Sequence, residues 1–225
     1  MSGVTKVYGE GDAQVHALAG IDLTIDEGEL VAVMGQSGSG KSTCMNIVGC
    51  LDAPSGGRYL FRGVDVRSLS IKQMALLRRY YIGYVFQGFN LLSRTSAIEN
   101  VELPLVYRRV RAAERRERAQ RALELVGLNG RESHKPNQLS GGQQQRVAIA
   151  RAIATDPSVL LADEPTGNLD SARSKEIMEL LVRMNRERGI TVIVITHEPD
   201  LAEYCDRIVE FRDGRILSDK RTKTS

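Results

Sequence analysis

The sequence predicts an α/β fold built around a doubly wound parallel sheet, and three observations carry that prediction. Residues 159–162 (Val-Leu-Leu-Ala) and 192–195 (Val-Ile-Val-Ile) are continuous apolar runs, as central parallel strands covered on both faces require. Strand-like and helix-like stretches alternate along the chain, the pattern of a parallel sheet wound with helices. A glycine-rich stretch at residues 35–42 follows a third apolar run and precedes a helical pattern.

Taken in order, residues 17–25 alternate loosely, Asp26-Glu27-Gly28 reads as a turn, and residues 30–34 form a buried-strand run. A helix is expected from Lys41 to about Leu51. Pro54-Ser55-Gly56-Gly57 punctuates a turn, and residues 59–64 and 82–86 read as further strands. From Gly88 to Leu128 the pattern is mostly helical. Within it, residues 108–121 carry seven arginines and two glutamates. The favoured reading is a solvated helix whose other face, around Ala119, Ala122, Leu123 and Val126, packs inward; a basic patch for nucleic acid or lipid headgroups is the alternative. Another helix begins from Leu139. Asp219 to Ser225 reads as a frayed polar tail.

A chain of 225 residues can bury a proper core as one domain. Its 42% hydrophobic and 26% charged residues exclude a disordered chain. With 5% aromatics and no Trp, an aromatic-lined sugar or single-strand cleft is disfavoured. A net charge of +3 is too small to mark a nucleic-acid binder. No apolar run approaches the roughly 20 residues that span a bilayer, and the N-terminus lacks the order of a signal peptide. Cys44, Cys50 and Cys205 have no metal-ligand spacing. Two of them fall in the helix expected beside the glycine-rich loop. They read as reduced, small apolar residues of a cytosolic protein.

Gly35-Gln36-Ser37-Gly38-Ser39-Gly40-Lys41-Ser42 fits the strand–GxxxxGK[ST]–helix motif in full. Its glycines let successive backbone N–H groups turn inward as an anion nest, and the new helix adds its positive end. Lys41 can reach β- and γ-phosphate oxygens, and the Ser42 hydroxyl can ligate Mg²⁺. Such a loop needs a carboxylate for the metal. Asp163 ends the strand at 159–162, where ligands bind in open α/β sheets. Glu164 follows and can face a water in line with the γ-phosphate. Without the phosphate loop, Asp163-Glu164-Pro165 would read only as a surface turn.

Leu139-Ser140-Gly141-Gly142-Gln143 begins 20 residues ahead of Val159. With the phosphate loop and the acidic pair, in that order, it makes essentially the whole chain resemble the ATP-binding subunits of ABC transporters. The resemblance implies a P-loop (RecA-like) core with an antiparallel β subdomain, about 1–87 and 157–225, and an inserted α-helical subdomain, about 88–156. It implies ATP and Mg²⁺ as ligands, with Gly35, Ser37, Gly38, Ser39, Gly40, Lys41, Ser42 and Thr43 around the phosphates and Tyr8 stacked on adenine. Ser42, Gln87 and Asp163 would hold the metal. Glu164, His197 and Gln87 would serve the reaction, Gln87 also sensing the transport partner. The signature residues Ser140, Gly141, Gly142 and Gln143 would close on the nucleotide of a second copy, with Asp170 of the Asn168-Leu169-Asp170 loop at the dimer interface. The sequence supports the signature independently: Ser140 can cap a helix whose glycines leave N–H groups open, yet one chain has one phosphate loop. His16 and His134 carry no such role. Family members begin with a further strand ahead of residues 4–8. This chain starts almost there, so a shortened edge strand and an altered place for Tyr8 are expected.

Three stretches, residues 46–52, 86–92 and 167–170, look like the group of macrolide exporters (MacB), lipoprotein-release ATPases (LolD) and division-linked ATPases of the FtsE type. That group implies a homodimer formed on ATP binding, seated at the inner face of the cell membrane on a four-helix transmembrane permease. A periplasmic adaptor would be reached through the permease. Residues 87–96 and 131–138 would receive the permease's coupling helices. No nucleic acid is implied. The alternative is an ATPase of a cell-division or DNA-associated complex without transport. A DNA-repair ATPase of the superfamily would carry a long coiled coil between loop and signature, where this chain has 98 residues without sustained heptads. A translation factor would need two cassettes, and a non-hydrolysing regulator would not be expected to keep Glu164 and His197.

Overall fold

The computed structural model describes residues 1–222. In chain order the elements are β1 (Ser2–Tyr8), β2 (Val15–Ile21), β3 (Leu30–Gly35), α1 (Lys41–Val48), β4 (Gly56–Arg58), β5 (Leu60–Phe61), β6 (Val64–Asp65), α2 (Ile71–Tyr81) and β7 (Ile82–Val85). They continue as α3 (Ala97–Tyr107), α4 (Ala112–Leu125), α5 (Gly141–Ile153), β8 (Val159–Asp163), α6 (Ser171–Arg188), β9 (Thr191–Ile195), α7 (Pro199–Ala202), β10 (Arg207–Arg212) and β11 (Arg215–Arg221).

The main sheet has six strands in the order β11-β10-β3-β9-β8-β7. All neighbours are parallel except β10 and β11. Its apolar runs are continuous because both faces are covered, and the two-residue period sorts them. Leu30, Ala32, Leu160, Ala162, Val192 and Val194 face a core shared with α3, α4, α5 and α6. Val31, Val33, Leu161, Ile193 and Ile195 face a second core under α1, α2 and the antiparallel strands. Burying each of the valine, leucine and isoleucine side chains among these stabilises the fold by about 1.5–3 kcal/mol.

The small antiparallel sheet runs β2-β1-β4. Its β1 is therefore a full central strand rather than a shortened edge, paired on both sides, and the Met1 ammonium donates to the Leu23 carbonyl at 2.8 Å. On the solvent face of α4, Arg115 and Arg116 pair with Glu102, Arg118 with Glu114, and Arg121 with Glu117. Ala119, Ala122, Leu123 and Val126 are buried. The arginine-rich stretch is thus the solvated helix with an inward apolar face. Arg108 is different: its guanidinium donates to the carbonyls of Arg79, Tyr80 and Thr155.

Several boundaries differ from the sequence reading. The helix from Lys41 stops at Val48, because Gly49 caps it and Cys50 turns to φ +54°; Cys50 lies past the helix rather than in it. The strand expected at 59–64 is a hairpin, since Arg62 and Gly63 both have positive φ, as a tight β-turn demands. Asp219 to Arg221 is not frayed: it lies in β11, where Asp219 takes two hydrogen bonds of 2.7 Å from Arg207. Thr222 follows, its N–H donating to the Asp206 carbonyl at 2.9 Å, and residues 223–225 lie outside the described residues. The helix α2 was unforeseen. All three cysteines are buried, and no disulfide forms among the described residues.

Candidate functional site

Because β3, β9, β8 and β7 are consecutive parallel neighbours, the segments at their carboxyl ends sit side by side. The row is the glycine-rich loop after β3, Thr196 and His197 after β9, Asp163 and Glu164 at β8, and Gln87 just past β7. This edge is where open α/β sheets bind ligands.

The loop is a cradle, backed by main chain and open in front. Gly40, at φ +101°, caps α1, and a Cβ there would stand 2.5 Å from the Ala17 carbonyl oxygen of β2. Gly38, at φ +77°, has nothing within 4 Å of where a Cβ would lie. Between them Ser39 is buried, its Oγ without a hydrogen-bond partner among the described residues. Ser37 is exposed, as is Ser42 on the first turn of α1, and Thr43 is half-buried.

Lys41 folds back into the loop and donates to the carbonyls of Gly35 at 2.8 Å and Gln36 at 2.7 Å. Burial lowers its pKa below the ordinary lysine value, against the pull of the Glu164 and Asp163 carboxylates. Asp163 is displaced the other way: burial raises it, the Glu164 charge adds, and Lys41 opposes. Lys41 thus presents an ammonium held by carbonyls, and Asp163 and Glu164 present two carboxylates whose charges oppose one another. An orphaned hydroxyl, an open cradle and this charge set fit a polyphosphate with a divalent metal.

Glu164 stands in the left-handed region at φ +43°, a strained place for a non-glycine residue. Its N–H donates to the Ile195 carbonyl at 3.0 Å, and its Oε1 lies 3.2 Å from His197 Nδ1. The Gln87 carbonyl accepts from Asn168 at 2.8 Å, which ties the end of β7 to the loop before α6. Asp170 caps α6 by accepting from the Arg173 N–H at 3.0 Å.

At α5, Ser140 Oγ accepts from the Gln143 N–H at 3.3 Å while Gln143 Oε1 accepts from the Ser140 N–H at 3.0 Å. This capping box leaves the N–H groups of Gly141 and Gly142 without intrahelical partners. Gly141 packs beside Phe89, Asn168 and Leu169 rather than standing alone. Tyr8, at the end of β1, is exposed, and its hydroxyl donates to Asp52 at 2.8 Å. His16 is exposed, and His134 Nε2 lies 3.0 Å from Arg131.

Some residues at the site escaped the sequence reading. Arg151 of α5 donates to the carbonyls of Phe89 and Asn90, both at positive φ, and so holds the loop that follows Gln87. Thr166 donates to Glu198 at 3.4 Å, joining the segment after Glu164 to the neighbour of His197. Both contacts are tertiary, and neither residue has a local sequence signal.

A phosphate cradle on the first parallel strand, with acidic residues one strand beyond its neighbour, defines a P-loop nucleoside triphosphatase. Comparison narrows that class. A model of the ABC transporter family matches residues 18–167, more than half the chain, and the chain belongs to that family as an ATP-hydrolysing cassette. The macrolide export ATP-binding/permease protein MacB of Hyphomonas neptunium is 53% identical over 220 residues, covering 98% of this chain and 34% of that protein. The ABC transporter ATP-binding protein YknY of Bacillus subtilis is 52% identical over 217 residues, with 96% and 94% covered. The dimeric structure of the ATP-binding cassette MJ0796 in a post-hydrolysis state with ADP and Pi superposes with a TM-score of 0.91 at 45% identity, covering 100% of this chain and 98% of that one. The chain spans about a third of the length of the MacB relatives it matches. No helix among the described residues is long and apolar enough to cross a membrane.

Proposed function

We propose that two copies of this chain close around two Mg-ATP molecules, each finishing the other's reaction centre, and that closure drives a transmembrane permease for export or mechanotransmission. The observation that carries the reading is the single row of strand ends holding one phosphate loop, one acidic pair and one histidine, beside a second helix start on α5 whose N–H groups are open. One chain offers two anion sites and one phosphate loop, and a two-fold dimer uses both. The dimeric MJ0796 cassette supports that assembly, and MacB relatives that fuse ATP-binding and permease parts support the membrane partner.

In this reading the loop N–H groups from Gly35 to Ser42, with Lys41 and Thr43, grip the phosphates. Ser42, Gln87 and Asp163 would hold Mg²⁺, which would supply neutralisation of phosphate charge. Glu164 orients the attacking water and takes its proton, and His197 steadies both Glu164 and the γ-phosphate. Ser140, Gly141, Gly142 and Gln143 complete the opposite copy's site, with Asp170 at the seam. Residues 87–96 and 131–138 meet the permease at the inner face of the cell membrane, through which a periplasmic adaptor is reached. The export is of macrolide, lipoprotein or peptide type, and the MacB relatives, named for macrolide export, support the first of these.

The test is Glu164→Gln. ATP binding should persist, phosphate release should fall by about 10²–10⁴-fold, and Mg-ATP should convert the variant into a stable dimer by light scattering. A variant that hydrolyses normally, or stays monomeric at high concentration with Mg-ATP, would refute the reading.

A further inference from the structure

The phenol of Tyr8 is not held by its own strand. Lys6 and Tyr8 lie two apart on β1 and so share a face. Their common partner, Asp52, comes 44 residues after Tyr8, from the turn that closes α1. That turn is part of the helix end: the N–H groups of Leu51 and Asp52 both donate to the Asn46 carbonyl, at 2.8 and 3.1 Å. Asp52 Oδ1 accepts from Lys6 Nζ at 2.6 Å and from the Ala53 N–H at 2.7 Å, and its Oδ2 accepts from the Tyr8 hydroxyl at 2.8 Å. Lys6 also donates to the Ala53 carbonyl at 2.8 Å.

This cluster is built, not incidental. The Lys6 side chain is 12% exposed, and its ammonium sits 4.9 Å from the centroid of the Tyr8 ring. A cation over one ring face fixes the ring and leaves the opposite face for a ligand. Burial alone would raise the Asp52 carboxyl, but hydrogen bonds from Lys6, Tyr8 and Ala53 outweigh it and hold it below the ordinary value. The same α1 begins with Lys41, Ser42 and Thr43, so one helix carries the phosphate grip at its start and the anchor of Tyr8 at its end.

From this we infer that Asp52, with Lys6, is a positioning residue for the nucleotide base: it bolts the Tyr8 ring to the far end of the phosphate-binding helix and so fixes base and phosphate sites relative to one another. The inference rests on the proposed Mg-ATP site and on Tyr8 being the base-stacking residue that the family resemblance implies. It makes Asp52 matter for nucleotides and not for bare polyphosphates, since only a nucleotide has a base to place.

The experiment measures equilibrium binding of Mg-ATP and of Mg-tripolyphosphate, which has no base, to the full chain and to Tyr8→Ala, Tyr8→Phe, Asp52→Ala and the Tyr8→Phe/Asp52→Ala pair. Losing the Asp52–Tyr8 hydrogen bond should weaken ATP about five-fold in either single variant. The pair should lose less than the sum of the two singles, because both delete the Asp52–Tyr8 bond, although Asp52→Ala also removes the Lys6 contact and Tyr8→Phe a hydrogen bond with Thr43. Tripolyphosphate affinity should not move. If Asp52→Ala binds ATP like the parent while Tyr8→Ala is weakened, the inference falls and base stacking by Tyr8 stands. Additive losses in the pair would also overturn it. If Tyr8→Ala binds ATP unchanged, the stacking role falls and takes the inference with it. Should Asp52→Ala weaken both ligands through misfolding, Tyr8→Phe still decides: it deletes one hydroxyl, and an unchanged ATP affinity there overturns the anchoring.

Discussion

Gly40→Ala tests whether backbone geometry, rather than side-chain chemistry alone, makes the phosphate site. At φ +101° an alanine costs about 1–2 kcal/mol in backbone strain. Its Cβ would stand 2.5 Å from the Ala17 carbonyl oxygen, where ordinary contact begins at 3.4 Å. Main chain cannot rotate aside as a side chain does, so β2 or α1 must yield by about 0.9 Å in a close-packed interior. Overpacking and strain together should destabilise the chain by about 2–3 kcal/mol. Because α1 carries Lys41 and Ser42, a shift of that size should weaken Mg-ATP binding about 100-fold. The assay is thermal unfolding with and without ligand. At a hundred times its Kd, Mg-ATP stabilises the parent by about 2.7 kcal/mol, which falls to about 0.4 kcal/mol if Kd rises 100-fold. For a domain of this size that is a shift of about 5–10 °C shrinking to about 1 °C. A Gly40→Ala chain that melts and responds to Mg-ATP like the parent would refute the reasoning.

Asp163→Asn should abolish Mg-dependent hydrolysis, by about 10²-fold or more, without lowering the nucleotide-free melting temperature at pH 7. Its carboxyl is raised by burial and by Glu164, so the ionised form opposes folding above its folded pKa and the neutral amide does not; a lower melting temperature would contradict this. Asp219→Asn should cost about 1 kcal/mol at pH 7 by urea unfolding. Arg207 holds the Asp219 carboxyl below its unfolded value, so the stabilisation is full above about pH 4 and fades as pH falls through the folded value; parent and variant should converge in acid. Gly49→Ala would place a Cβ 1.2 Å from the Tyr84 hydroxyl, and should lower stability by about 2–3 kcal/mol in the same measurement.

The central strands were legible because β8 and β9 are apolar on both faces, and nothing but a two-sided core explains such runs. The phosphate loop and capping box of α5 were legible because their chemistry is local. Helix α2 was not, since it lies on the surface with Leu77 as its only buried residue; the readable clue was Ser70 with Gln73, which forms a capping box. Strand β11 was lost because an exposed antiparallel edge strand reads as polar. Its signal was Asp213-Gly214, both at positive φ in a two-residue hairpin turn. What no local pattern could show are contacts made at a distance, such as Asp52 with Tyr8 or Arg151 with the carbonyls of Phe89 and Asn90.

Those arginine contacts have a mechanical consequence. Arg108 fastens the helical group to the end of α2 and to Thr155, and Arg151 fastens the late part of α5 to the loop after Gln87. The rear of α5 is thereby a fulcrum, and its front, at Ser140, is the tip of an arm about 17 Å long. A tilt of about 10° at the fulcrum swings that tip by roughly 3 Å, a full hydrogen-bond length. In the proposed dimer, small adjustments beside Gln87 would then become the difference between a helix start that meets the second copy's phosphate and one that misses it.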